Sequence, residues 1–138
     1  MTMAKDIMHR GVTYVGEHET VAAAARHMRD FGVGALPIWG DDNRLHGLLT
    51  DRDIVVKCIA VGRDPNTTTA GELAQGRVYH IGGEATIEQM LTMMEEHRVR
   101  RLPVIENHRL IGIVSEADIA RHLPEHAIAE FVKAIYAP

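Results

Sequence analysis

The sequence predicts a mixed α/β (α+β) fold made of two copies of one unit, each ordered strand, helix, strand, strand, helix, with an extra C-terminal helix. The first observation is a tandem repeat. The pattern G-h-h-[ST]-x-x-D-I, where h is apolar, spans Gly47–Ile54 and returns at Gly112–Ile119. The second is that the proline-containing segment Ala35–Ile38 returns as Arg101–Val104. A repeat of this length indicates a structural unit that is used twice.

The repeats set the expected division of the 138-residue chain. We expect the first repeat over residues 1–62, a linker over 63–69, the second repeat over 70–123 and the C-terminal helix over 124–138. The linker is assigned because its residues are polar and include the turn-forming pair Pro65-Asn66.

Local signals place the elements of the first repeat. Thr20 is predicted to be the N-cap of an alanine-rich helix that begins at Val21 and ends near Gly32. A turn is predicted at Gly40–Asn43 from its composition. The remaining elements expected here are strands over Gly11–Val15, Leu36–Trp39 and Leu45–Leu49, and a helix from about Asp51 to Val61.

The second repeat carries matching signals. Thr86 and Gln89 form a predicted capping box that opens a helix. That helix contains a cluster of Met90, Leu91, Met93 and Met94, and apolar residues at helical spacing are more typical of core filling than of a ligand or docking surface. The other elements expected are strands over Val78–Ile81, Leu102–Ile105 and Leu110–Val114, and short helical leads over Ala4–Met8 and Ala70–Ala74.

The C-terminal helix has no counterpart in the first repeat. Beyond Pro124, apolar residues fall on one helical face at Ile128, Phe131, Val132 and Ile135. Such a helix covers exposed core in its own chain or in a partner, and the sequence leaves both open.

Composition limits the classes of function. Apolar residues make up 46% of the chain, and no run of them is long enough to span a membrane. The first residues lack the apolar stretch of a secretory signal, so none is expected. Cys58 is the single cysteine, so we expect a cytoplasmic protein in which this thiol is buried and inert. With a net charge of −4 and 4% aromatic residues, nucleic-acid binding is not expected, although Arg98, Arg100 and Arg101 form one basic group.

Catalytic and metal-binding patterns are weak. No nucleophile–base set, phosphate-binding glycine loop or dinucleotide fingerprint is present, so no enzyme is expected. Among nine histidines, His122 and His126 are four residues apart, and a continuous helix would place both on one face, an arrangement that metal sites use. Pro124 lies between them and is predicted to interrupt the helix, which favours surface histidines over a metal site.

The two repeats, each with h-P-h before the hairpin turn and G-h-h-[ST]-x-x-D after it, resemble the cystathionine-beta-synthase (CBS) domain. The resemblance covers the chain except for the final helix. It implies repeats related by a pseudo-two-fold axis, two clefts that take an adenosine-containing ligand (AMP, ADP, ATP or S-adenosylmethionine), and a homodimer. Similarity to a bacterial member implies a stand-alone regulatory role in stress response. The alternatives are a ligand-free dimeric interaction module and a metal-binding family member.

The motif residues have two interpretations. Thr50 with Asp53, and Ser115 with Asp118, have the spacing of a capping box, in which a hydroxyl and an acid bond backbone N–H groups at a helix start. In nucleotide-binding members of the family the motif aspartate holds the ribose, so the resemblance implies that all four residues are ligand contacts. The unpaired N–H groups of a helix start also suit an anion.

The two repeats differ in the residue that lies two positions before the repeated proline. Arg101 stands two residues before Pro103, where family members can contact phosphate, whereas the first repeat has Ala35. An arginine fork suits phosphate, although a solvated basic patch is an equal alternative. We therefore expect the Asp118 side to be the better nucleotide site. Tyr14 and Trp39 could stack on a base, fill the first cleft or build a dimer surface.

Overall fold

The structure, a computed structural model, describes residues 1–74 and 78–138 and has the predicted mixed α+β architecture. The strands are β1 (Val15–Gly16), β2 (Ala35–Trp39), β3 (Leu45–Thr50), β4 (Arg101–Glu106) and β5 (Arg109–Ser115). The helices are α1 (Ala4–Ile7), α2 (Val21–Phe31), α3 (Asp51–Asp53), α4 (Ala70–Leu73), α5 (Ile87–His97), α6 (Glu116–His122) and α7 (Glu125–Ile135), with a π-helical segment, π1, at Ile54–Ile59. No helix in the described ranges is long and apolar enough to cross a membrane.

The compact units of the chain do not coincide with the sequence repeats. A terminal unit contains Met1–Val12 and Tyr79–Pro138, and a central unit contains Thr13–Val78. Helix α1, at the start of the first repeat, therefore packs with the second repeat, and α4, at the start of the second repeat, packs with the first. The division at residues 1–62, 63–69, 70–123 and 124–138 remains a prediction about the repeats, while the packing follows other boundaries.

Each motif glycine lies beside the lead segment of the other repeat, Ala4–Met8 for Gly112 and Ala70–Ala74 for Gly47, and the two contacts differ in closeness. In the terminal unit, residues after α1 cross β5, where His9 and Ile113 exchange backbone hydrogen bonds of 2.8 and 3.1 Å. A Cβ on Gly112 would lie 2.8 Å from the backbone oxygen of His9, so only glycine fits without a shift. In the central unit Gly47 faces Ala74, and there a Cβ would make an ordinary contact of 3.5 Å.

The central unit is built on a three-stranded sheet in the order β1-β2-β3. Strand β1 pairs parallel with β2, and β2 pairs antiparallel with β3 with a bulge at Ile38/Trp39. The expected linker is ordered here, because Thr68 and Pro65 accept hydrogen bonds from the first N–H groups of α2 at 2.8 and 2.9 Å. The core of this unit consists of Val15, Val21, Ala24, Met28, Leu36, Ile38, Leu49, Cys58, Ala70 and Leu73.

The terminal unit is built on the β4-β5 hairpin, covered by α1, α5, α6 and α7. Met90 and Met94 are fully buried, which confirms the core interpretation of the methionine cluster. The C-terminal helix covers the core of its own chain, because Phe131 and Ile135 are buried among α5 and hairpin residues. Val132, which was expected on the buried face, is 44% exposed, so the apolar face is narrower than the sequence indicated.

The capping signals are confirmed, and some element lengths differ. Thr20 accepts a hydrogen bond from Ala23 N–H (3.1 Å), and α2 ends at left-handed Gly32. The Thr86–Gln89 capping box is complete. Of the strand expected at Gly11–Val15, only the last residue, Val15, lies in a strand, β1. The strand expected at Val78–Ile81 is only a single β-bridge between Ile81 and Val104.

The second helix of the first repeat also departs from the expected α-helix over Asp51–Val61. After one α-helical turn the chain widens into π1, where Ala60 N–H donates to Val55 O at 2.8 Å. Three consecutive β-branched residues, Ile54, Val55 and Val56, lie at its start, and such side chains crowd the preceding turn of an α-helix.

Candidate functional site

Thr50 and Asp53 form the first motif corner, where β3 ends and α3 begins. Asp53 N–H donates to Thr50 Oγ1 at 3.0 Å, and Thr50 N–H donates to Asp53 Oδ2 at 3.0 Å. The other carboxylate oxygen of Asp53 forms an ion pair with Lys57 Nζ at 3.2 Å. Both oxygens of this aspartate therefore have partners within the central unit.

Ser115 and Asp118 form the second motif corner, where β5 ends and α6 begins. Asp118 Oδ2 accepts two hydrogen bonds from Ser115, from the backbone N–H at 2.9 Å and from the hydroxyl at 3.1 Å. The nearest cation to Asp118 Oδ1 is Arg121, whose side chain is two-thirds exposed. Its Nη1 lies 3.7 Å from Oδ1, which is beyond hydrogen-bond distance. Asp118 is only 4% exposed. The capping interpretation is thus confirmed at both corners, and Asp118 keeps one oxygen without a close donor among the described residues.

Arg101 lies directly beside the second motif corner. In the hairpin register Arg101 pairs with Ser115, and the matching pair of the first repeat is Ala35 with Thr50. Side chains of directly paired residues project from the same face of a sheet. Within the described part of the chain, the Arg101 guanidinium has no ion-pair partner. The structure therefore brings together Arg101, Ser115 and Asp118 in the terminal unit, while Thr50 and Asp53 lie together in the central unit.

The other two arginines of the basic group hold the C-terminal segment. Arg98 Nη1 donates to Ala137 O at 3.0 Å, and the Arg100 guanidinium lies 5.2 Å from the centre of the Tyr136 ring. The Tyr136 hydroxyl in turn donates to Glu116 Oε1 at 3.1 Å. Two of the three arginines of the basic group are therefore in contact with the C-terminal segment.

His122 and His126 do not form a pair on one helix. Helix α6 ends at His122, and α7 begins after Pro124, so the proline interrupts the helix as predicted. His122 Nδ1 lies 2.9 Å from Asp118 O, and a carbonyl can only accept, so this nitrogen carries the hydrogen. That contact fixes the His122 ring on the backbone of the second motif corner.

The sequence did not reveal one group of side chains. Glu17, His18, Asp41, Asp42 and His46, here called the hairpin cluster, meet where β1 ends beside the β2–β3 turn. The acidic turn and its histidine were visible in the sequence. Their approach to Glu17 and His18 depends on the parallel pairing of β1 with β2, which joins residues 23 and more apart. No local signal could have found it.

Tyr14 and Trp39 touch each other at the same end of the central sheet. Their ring centres are 6.0 Å apart with the planes tilted by 46°. The indole N–H donates to Asn43 Oδ1 at 3.0 Å, and Tyr14 is 52% exposed. The two rings thus form a partly exposed aromatic pair.

Comparison with known proteins gives the family. The CBS domain sequence profile matches twice, at residues 4–59 and 70–125. Hypoxic response protein 1 of Mycobacterium tuberculosis is 67% identical over all 138 residues, which cover 96% of that protein. A crystal structure of Hypoxic Response Protein I with two coordinated zinc ions is 66% identical, with a TM-score of 0.80 over 89% of this chain and all of that one. A hexameric CBS-CP12 protein from cyanobacteria is 29% identical, with a TM-score of 0.79 over 88% of this chain and 67% of that one.

Proposed function

The chain belongs to the CBS-domain family, and on that premise we propose that it is a non-enzymatic regulatory protein of the hypoxic or stress response that senses an adenosine-containing ligand. The ligand class is AMP, ADP, ATP or S-adenosylmethionine. A ligand acts as a regulator by its differential affinity for two conformations of the protein, which changes how partners bind. The cytoplasmic location expected for it rests on the single cysteine.

The observation that carries this proposal is the open hydrogen-bonding capacity of Asp118. Its Oδ2 is used by Ser115, while Oδ1 has no donor closer than Arg121 at 3.7 Å. A ribose presents two hydroxyl donors, and hydrogen bonds to a charged acceptor contribute about 1.5–3 kcal/mol each. Asp53 is the poorer acceptor because Lys57 already occupies its second oxygen at 3.2 Å.

Arg101 supports a ligand that carries phosphate. It pairs across the hairpin with Ser115, and it has no carboxylate partner in the described part of the chain. A guanidinium can hold two phosphate oxygens at once. We therefore assign ligand binding to Arg101, Ser115 and Asp118, and a weaker or absent role to Thr50 and Asp53.

The rival proposal is a ligand-free homodimer. Phe131 and Ile135 of α7 are buried in the terminal unit, so these two residues are not available to a dimer interface. Exposed apolar side chains lie instead on π1 and the turn after it, at Val55, Val56, Ile59 and Val61. We propose a second copy of the chain as the occupant, since a family member assembles as a hexamer. Sedimentation of Ile59→Asp against wild type tests this, and equal molecular masses would refute it.

Thermal unfolding against a panel of ligands separates the two proposals. A ligand that binds the native state at a hundred times its Kd adds about 2.7 kcal/mol of stability. We expect one of AMP, ADP, ATP or S-adenosylmethionine to raise the midpoint. Zinc is tested in a separate arm, because the similar crystal structure holds zinc, and the nucleotide arm contains a chelator. No shift with any of the four adenosine compounds would refute the sensor and favour the ligand-free dimer.

A further inference from the structure

We propose that the C-terminal segment, residues Tyr136–Pro138, regulates the nucleotide site: docking of this segment on the second motif corner and binding of the ligand strengthen each other. The inference rests on the proposed function, because it concerns regulation of the same site. The contacts that carry it all lie within the terminal unit.

The position of Tyr136 is set by the buried end of α7. Ile135, the residue before it, is buried in the core of the terminal unit, and Tyr136 N–H donates to Val132 O at 3.1 Å. Arg98 holds the residue after it, because its Nη1 donates to Ala137 O at 3.0 Å. The tyrosine ring is therefore placed by contacts on both sides of it in the chain.

Tyr136 joins two residues that are already connected through the backbone. Glu116 N–H donates to Arg100 O at 3.2 Å. This bond follows directly after the hairpin pair of Arg101 with Ser115. The Arg100 guanidinium lies 5.2 Å from the centre of the Tyr136 ring, and the Tyr136 hydroxyl donates to Glu116 Oε1 at 3.1 Å. One side chain thus contacts the chain neighbours of both Arg101 and Ser115.

The first repeat has the same backbone bond without this bridge. Asp51 N–H donates to Gly34 O at 2.9 Å, and the glycine has no side chain that a ring could contact. The C-terminal helix also has no counterpart after the first repeat. The bridge therefore distinguishes the second motif corner from the first, as Arg101 does.

The bridge also controls a charge beside the phosphate contact. Glu116 follows Ser115, the hairpin partner of Arg101, but its carboxylate is bound by the Tyr136 hydroxyl. The Arg101 guanidinium has no ion-pair partner in the described ranges. Once Tyr136 leaves, the Glu116 carboxylate is free to turn towards Arg101 and to compete with a phosphate for it. Docking of the segment keeps Arg101 available to the ligand.

The coupling acts in both directions. A docked segment holds Arg100 and Glu116 in place, so the residues next to them lose less conformational freedom when the ligand binds. By thermodynamic linkage, a bound ligand must favour docking by the same factor by which docking raises its affinity. Release of the C-terminal segment therefore reports loss of the ligand at the surface of the terminal unit.

Two substitutions at Tyr136 test the effect on binding in the full chain, with AMP, ADP and ATP as probes in calorimetry. Tyr136→Ala removes both contacts and should weaken binding by about tenfold, while Tyr136→Phe removes only the hydroxyl and should weaken it by about threefold. Tyr136 is 55% exposed, so neither change should affect folding. Val132→Ala, at an exposed position of the same helix, is the matched control and should bind as wild type does.

Two further readouts separate coupling from a structural role. In the Glu116→Ala background, Tyr136→Phe should no longer weaken binding, because the hydroxyl acts through that carboxylate. Amide hydrogen exchange at Tyr136 N–H should slow when the nucleotide is present, as reciprocity requires.

The outcomes distinguish this inference from the proposed function. If wild type binds none of the three nucleotides, nucleotide sensing and its regulation by the segment fail together. If wild type binds one of them and Tyr136→Ala binds it equally well, the inference alone is overturned. The same holds if the Tyr136→Phe effect persists in the Glu116→Ala background, or if the nucleotide leaves exchange at Tyr136 unchanged.

Discussion

Arg101 and Ser115 are direct partners across the β4–β5 hairpin, and the same positions in the β2–β3 hairpin hold Ala35 and Thr50. The two halves of the chain thus share one backbone pattern but differ in charge at this paired position. This difference, together with the unequal partners of Asp53 and Asp118, makes the two motif corners chemically distinct.

Replacement of Arg101 tests the phosphate contact. Arg101→Gln should weaken binding of a phosphate-bearing nucleotide by roughly tenfold or more, because a charge-assisted hydrogen bond contributes about 1.5–3 kcal/mol. Arg109→Gln, an exposed arginine of the same hairpin, is the matched control and should bind as wild type does. Equal affinity in the Arg101 and Arg109 variants, measured by calorimetry, would remove Arg101 from the site.

Two glycine substitutions test how closely the segments after α1 and α4 pack against β5 and β3. Gly112→Ala should destabilise the protein by about 1–3 kcal/mol, because the new methyl group meets the backbone of His9. Gly47→Ala has room at 3.5 Å from Ala74 and should change the free energy of unfolding by less than about 1 kcal/mol. Urea unfolding measures both. Equal effects would show that α1 does not pack against β5 as described.

The C-terminal helix offers a matched pair of buried and exposed apolar residues. Phe131→Ala should lower the free energy of unfolding by about 3–5 kcal/mol, since the ring is 1% exposed in the core of the terminal unit. Val132→Ala, at a side chain 44% exposed, should change it by less than about 1 kcal/mol. A small effect at Phe131 in urea unfolding would mean that α7 does not cover this core.

Glu72 should make stability depend on pH in the acid range. The hydrogen bond from Thr69 N–H, followed by the Thr69 hydroxyl and the charge of Arg63, lowers the pKa of this carboxyl below its ordinary value of 4.5. A lowered carboxyl pKa stabilises the folded state above the unfolded-state pKa, and this contribution is lost as pH falls through the folded-state pKa.

The test compares Glu72→Gln with wild type by urea unfolding at neutral pH and at about pH 3. The variant should be less stable at neutral pH, and the gap should close in acid as the carboxyl of the wild type becomes protonated. Glu130→Gln, at an exposed position of α7, should show no such gap. A gap that stays constant over this range would mean that the carboxylate charge is not the source.

Local signals predicted most of the elements. Thr20, Thr86 and Gly32 marked helix ends because capping chemistry involves residues within one turn of each other. The repeat itself gave the two hairpins, since each proline and each motif glycine recurs at the same place in the unit. The sequence did not predict that Val132 lies outside the buried face of α7, because hydrophobic periodicity shows where a buried face lies but not how wide it is.

Contacts between distant residues were not predictable in the same way. The pairing of α1 with the second repeat and of α4 with the first joins segments far apart in sequence, and nothing local distinguishes it from packing within a repeat. The hairpin cluster depends in the same way on the β1–β2 pairing. The site residues Thr50, Asp53, Ser115 and Asp118 were identified as helix caps by spacing alone. Atomic distances were needed to show which aspartate has a carboxylate oxygen without a close hydrogen-bond donor.

The central claim is that the Asp118 corner, and not the Asp53 corner, binds the adenosine ligand. Calorimetric titration of the nucleotide that stabilises wild type, into Asp118→Asn and Asp53→Asn, tests it most directly. Asparagine keeps the size and one oxygen acceptor of each cap, so both variants should remain folded. We predict that Asp118→Asn weakens binding by tenfold or more, about 1.4 kcal/mol, while Asp53→Asn binds as wild type does. Loss of binding in Asp53→Asn with full affinity in Asp118→Asn would contradict the account.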